Sequence, residues 1–139
     1  MRKSILESLK NRFESYKDIA ESLNDQKLGE KIDAPKHKSL LEHVWCVIGA
    51  RESYAKAIEN GEWSGFTCSM SKYTTLEVIE KLRSSAENFL AVANNVTEWT
   101  DEREELLLKL SEHEVMHEGG IIRHMYAIEI DIPTSVQWA

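Results

Sequence analysis

Residues 113–129 read HEVMHEGGIIRHMYAIE. The fold turns on whether a helix runs through the two glycines in this stretch. Its first five letters spell H-E-x-x-H, the zinc-protease signature, in which two histidines one helical turn apart share a face with a glutamate that can act as general base. Gly120 stands where the longer pattern H-E-x-x-H-x-x-G-x-x-H needs a glycine to turn the chain back towards the metal. The third histidine would then be residue 123, but that residue is Arg123, and His124 comes one position late. Past the glycines, Ile121, Met125 and Ile128 resume an apolar period of helical spacing. The spacing therefore predicts a helix that continues through Gly119 and Gly120. The other zincin type takes its third ligand from a glutamate on a second helix, and Glu129 is too near for that role.

The same period continues upstream through Leu106, Leu110, His113 and His117 to Thr100. There the acidic run DEREE suits the positive end of a helix dipole. Before it, Thr74 and Glu77 have capping-box spacing and open a helix whose stripe is Leu76, Ile79, Leu82, Ala86, Phe89 and Ala93. A further helix starts near Ser39, ends before Gly61 and carries Leu40, His43, Val47, Ala50, Tyr54 and Ala57. The first helix is expected from Ser4 to Leu23, with Ser4 and Glu7 as another capping box. NDQKLGEKIDAPKHK reads as a loop. GEWSGFTCSMSKY, long for a bundle connection, leaves room for a helical turn or a cover over one end of the core. No stretch alternates with the period of two that a strand would need. The expectation is one all-α domain over residues 1–139, a four-helix bundle.

The net charge of −7 argues against a generic partner among nucleic acids or anionic membranes. No apolar run approaches the roughly 20 residues that span a bilayer. The basic start of MRKSILESLKNRFESYKD is not followed by the apolar core of a signal peptide, so a cytoplasmic location is the default expectation. Cys46 and Cys68 form neither a CxxC motif nor a disulfide framework, and Cys46 reads as core packing.

Three of the five histidines lie on the last helix's apolar stripe and one on the second's, where a polar ring needs a partner. His113 and His117 rise about 6 Å apart, close enough to converge on one metal. His124 is two turns further, about 10 Å along the axis, too far to join them, and reads as a hydrogen-bonded core or rim histidine. His37, in a polar loop, is expected to be exposed. His43 is the remaining candidate. If its helix lies beside the last, three neutral imidazoles would leave a coordination position open, as catalytic metal sites do. Glu114 has two readings, a solvated helix residue or a catalytic base and metal-supporting partner. Arg51 and Arg123 are read as surface residues, with an acidic substrate as the alternative. Trp45 and Tyr54 are read as core, with a pocket lining as the alternative. A di-iron carboxylate bundle needs two E-x-x-H motifs; Glu114 and His117 supply one, and there is no second.

An inward histidine early in the second helix, followed by H-x-x-x-H-x-G on a continuing last helix, resembles the DinB/YfiT superfamily. The matching stretches are SLLEHVWCVIGARESY and LLLKLSEHEVMHEGGIIRHMYAIEIDIP. The resemblance implies a four-helix bundle that holds a divalent ion, zinc or nickel first, iron or manganese next, through His43, His113 and His117. It also implies a homodimer and a small-molecule substrate. Relatives of that kind include bacillithiol S-transferases and a mycothiol-dependent isomerase, so thiol S-transfer or hydrolysis is the expected reaction class. A metal- or ligand-binding stress protein without turnover is the alternative. One departure is clear: Gly120 stands where H-x-G-Q-[IL] would place glutamine.

Overall fold

The structure, a computed structural model, describes residues 1–136, so the last three positions of the expected domain lie outside it. Four long helices, α1 (Arg2–Glu21), α3 (Leu40–Asn60), α4 (Thr75–Asn95) and α5 (Asp101–Ala127), are joined by two long connections and the short link 96–100. A single turn of helix, α2 (Asp25–Gly29), interrupts the stretch expected to be loop, and a 3₁₀ turn (Thr134–Val136) follows Pro133. Helices α1 and α3 each pack against both α4 and α5. The bundle order is therefore α1–α4–α3–α5, with α3 beside α5. Strands are absent among the described residues.

Local chemistry sets the helix ends. Ser39 and Glu42 close a reciprocal capping box at the start of α3, and Gly61 ends that helix at φ +84°, a left-handed conformation that costs glycine little. Thr74 accepts from the Glu77 amide and Thr100 from the Arg103 amide. The expected capping box at Ser4 does not form. The Ile5 amide already bonds to the Met1 carbonyl, so the helix is under way before Ser4, and Glu7 pairs with Lys10 on the surface. The α4 stripe is also shifted in its first turn, where Val78 is buried and Leu76 is 81 % exposed.

Two apolar clusters fill the bundle. One gathers Tyr16, Ile19, Leu40, Val44, Val47, Ile121 and Met125; the other gathers Leu9, Phe13, Ala50, Ile58, Phe89, Leu107 and Leu110. Between them, along the helices, lies a polar layer of Arg12, Ser15, Arg51, Glu114 and Glu118, all buried. The 61–74 segment contains no helical turn. It runs along α3 and inserts Met70 into the first cluster.

Candidate metal centre

The helix α5 continues unbroken through Gly119 and Gly120 to Ala127. His113 and His117 therefore stand one turn apart on one side of it, with ring centroids 4.4 Å apart. His43 is the fourth residue of α3, and its amide bonds to the carbonyl of the capping residue Ser39. From there its ring reaches across to α5. Nδ1 of His43 lies 2.9 Å from Nδ1 of His117, with the rings edge to face. One of the two nitrogens donates a proton and the other accepts it, so the contact needs at least one neutral ring.

Gly120 makes the approach possible. A Cβ at that position would lie 2.6 Å from Cε1 of His43 and 3.0 Å from Nε2, tighter than packed atoms tolerate. Glycine inside a helix costs about 1 kcal/mol relative to alanine, and here it makes room for an imidazole from the neighbouring helix. Gly119 meets nothing within 4 Å and is exposed, so the two glycines are not equivalent.

The three rings are held neutral at pH 7. Burial drives the His43 pKa down to about 4 and that of His117 down to about 3, and burial also lowers His113. The Lys38 ammonium adds to the effect on all three. A neutral imidazole is the ligating form. Nδ1 of His113 is buried and has no hydrogen-bond partner. Such an atom costs free energy unless something bonds to it.

These residues suit a borderline divalent ion. With metal–nitrogen bonds of about 2.0–2.1 Å, two ligand nitrogens sit about 2.9 Å apart at a right angle and about 3.4 Å apart at a tetrahedral angle. The 2.9 Å between His43 and His117 falls at the lower end of that range. Among the described residues, no three His, Cys, Asp or Glu side chains already form a complete metal-holding set. Two nitrogens face each other, and the His113 ring packs against His117 without joining their hydrogen bond.

Glu114 is not solvated. It is fully buried, and both its oxygens accept from Arg51, at 2.6 Å from Nε and 2.9 Å from Nη2. Arg51 is accordingly no surface residue. Its guanidinium also donates to the Leu82 carbonyl and lies 4.3 Å from the centre of the Phe13 ring. Tyr16 donates to the Glu114 carbonyl. A second buried ion pair joins Arg12 and Glu118 at 3.1 Å, and burial raises the Glu118 pKa. Each histidine of the α5 pair is thus followed by a carboxylate tied to another helix. Sequence reasoning missed Arg12 and Glu118. The available signal was that Arg12 and Arg51 sit at stripe spacing among Leu9, Tyr16 and Val47.

His124 is fully buried and hydrogen-bonded, as a rim histidine should be. Its Nε2 donates to the Glu30 carbonyl at 2.8 Å, leaving Nδ1 to accept from Nε2 of His37 at 3.0 Å. The two rings stack, so His37 is half-buried rather than exposed. Arg123 is exposed. Cys46 is only half-buried and accepts from the Lys38 ammonium at 3.4 Å, so it is not core packing. Trp45 is also outside the core, at 36 % exposure, whereas Tyr54 is half-buried against Trp63.

No family model matches the sequence, and no curated protein does. Among solved structures, that of a DinB-like protein from Bacillus cereus matches with a TM-score of 0.73, covering 94 % of this chain and 95 % of that one at 19 % identity. At that identity the likeness is one of fold, and the chain has the DinB-like fold.

Proposed function

We propose that this DinB-like bundle is a divalent-metal protein whose ligands are His43, His113 and His117. Zinc or nickel is the expected ion, with iron or manganese next. The observation that carries the reading is the meeting of three neutral imidazoles from two helices, one with a buried ring nitrogen that no protein group satisfies. His43 and His117 supply a facing pair, and His113 packs against His117 with its buried Nδ1 unbonded. Gly120 keeps the space that the His43 ring occupies. Glu114, bound by Arg51, acts here as a positioning residue that fixes which face of α5 the histidines present.

A divalent ion at such a site lowers the pKa of a bound water or thiol. The reaction class we propose is thiol S-transfer or hydrolysis on a small-molecule substrate, with a low-molecular-weight thiol as co-substrate in the first case. Homodimer formation and a cytoplasmic location belong to the same proposal. No helix among the described residues is long and apolar enough to cross a membrane.

Cobalt(II) titration of metal-free protein tests the site. The visible ligand-field bands of a nitrogen-rich site should appear at one equivalent, and should be lost in His43→Ala and His117→Ala. Identical spectra in all three proteins would overturn the ligand assignment. Incubation with bacillithiol and an epoxide tests the reaction. A rate that does not exceed that of metal-free protein would overturn thiol transfer and leave a metal-binding protein.

A further inference from the structure

The solvent side of α3 carries a second feature. Lys38, Leu41, Glu42, Trp45 and Cys46 meet Tyr73 across a groove of about 420 Å³. That volume falls within the roughly 300–1,000 Å³ of small-molecule sites. Its aromatic wall faces away from the histidine cluster, because residues 43 and 45 point about 160° apart around a helix, whereas Lys38 at its edge lies near enough to act on all three imidazoles.

Its aromatic wall is fixed in place. The Trp45 ring leans on Phe66, with centroids 5.2 Å apart. Phe66 in turn occupies the space over Gly49, where a Cβ would collide with its ring. The chain on either side of Phe66 is tied down as well. The Thr67 amide donates to Ser53 Oγ at 2.9 Å, and Ser53 Oγ donates back to the Thr67 carbonyl at 3.1 Å. Cys68 Sγ donates to the Trp45 carbonyl, and the Ser69 amide donates to Glu52. These contacts hold Trp45 out towards solvent, while Tyr73 is 62 % exposed at the other side.

The groove also carries one uncommitted cation. Lys38 Nζ contacts the Cys46 sulfur, and among the described residues no carboxylate lies within ion-pair distance of it. The nearby Glu42 carboxylate is taken by the Ser39 amide at 2.7 Å as part of the helix cap. A strongly hydrated ammonium beside exposed aromatic rings offers an anion both a charge and a flat surface.

We infer that this groove binds a small aromatic molecule bearing one acidic group, with the acid on the Lys38 ammonium and the ring against Trp45 and Tyr73. A nucleic-acid strand would need a run of cations to track its backbone, and the groove has one. The site does not depend on the metal reading.

The probe is 8-anilinonaphthalene-1-sulfonate, an aromatic sulfonate, added to the Cys68→Ser variant so that Cys46 is the remaining thiol. Fluorescence titration should give one site per chain. Saturating probe should slow alkylation of Cys46 by iodoacetamide at least fivefold. Lys38→Gln should weaken the probe at least tenfold, Trp45→Ala should abolish saturable binding, and His43→Ala should leave it unchanged. Circular dichroism checks that each variant stays helical. Unaltered affinity in Lys38→Gln and Trp45→Ala, or alkylation of Cys46 at the same rate with and without probe, would overturn the inference. So would loss of binding in His43→Ala alone, which would put the probe at the histidines.

Discussion

Gly120 is the residue on which the candidate site depends most narrowly. The space its missing side chain leaves is filled by the His43 ring. Gly120→Ala would raise helix propensity by about 1 kcal/mol yet push that ring away from His117. The expected outcome is at least a tenfold loss of cobalt affinity with little change in helical content; Gly119→Ala, with nothing within 4 Å, should leave affinity unchanged. The histidines also predict a pH dependence. In the unfolded chain an imidazole titrates near pH 6.5. In the folded protein His43 titrates at about 4 and His117 at about 3. Between those limits the unfolded chain binds more protons, so the stability of metal-free protein falls as pH drops from about 6.5 towards 3. Urea midpoints at pH 7 and pH 4.5 should therefore converge in the His43→Gln/His117→Gln variant relative to wild type. The comparison cancels the opposing contribution of Glu118, whose raised pKa favours the folded state at low pH. Spacing pointed to His113 and His117, one turn apart on an inward stripe where a polar ring needs a partner, whereas His43 followed only as the remaining inward histidine and from the family resemblance. Glu114 was not legible. Its burial depends on Arg51, 63 residues away on another helix, and nothing local distinguishes such a glutamate from a solvated one.

Among the elements, α5 supplies two of the three proposed ligands and the glycine that admits the third. Its continuation past the glycines was readable from Ile121, Met125 and Ile128, and its start from Thr100 and the acidic turn after it. Its inward face was readable too, since Leu106, Leu110, His117, Ile121, His124 and Ile128 are all buried; the burial of Glu114 and Glu118 was not, because it depends on Arg51 and Arg12 reaching in from α3 and α1. The shifted stripe of α4 has a similar cause: which side chains of its first turn are buried depends on the neighbours it meets. The fully buried Arg51–Glu114 pair gives an element-level prediction. Removing one partner leaves an unpaired buried charge and costs about 3–5 kcal/mol, whereas replacing both with apolar residues of similar size is far milder. Arg51→Met should therefore lower the urea midpoint sharply, and Arg51→Met/Glu114→Leu should recover most of the loss. Cobalt affinity should stay below wild type in the double variant if the pair also sets the facing of α5. Full recovery of both would limit the pair to stability.

At the scale of the whole molecule, the bundle places its polar layer and the His113–His117 pair at the same level of α5, between two apolar clusters. The all-α bundle was legible because few Gly or Pro residues interrupt the helical periods, and because the strongest breaks fall between helices. The groove on the outer side of α3 was not, since exposed Trp45 and half-buried Cys46 look like core residues until the 61–74 segment is seen to hold the wall outwards. The fold brings His43 to a pair of histidines about seventy positions later in the chain, and these three are the proposed metal ligands. Elemental analysis of protein purified without an affinity tag and loaded with zinc tests that assignment most directly. One ion per folded chain is expected, falling to background in His43→Ala while circular dichroism stays helical. Full occupancy retained in His43→Ala, or no bound ion in wild type, would contradict it.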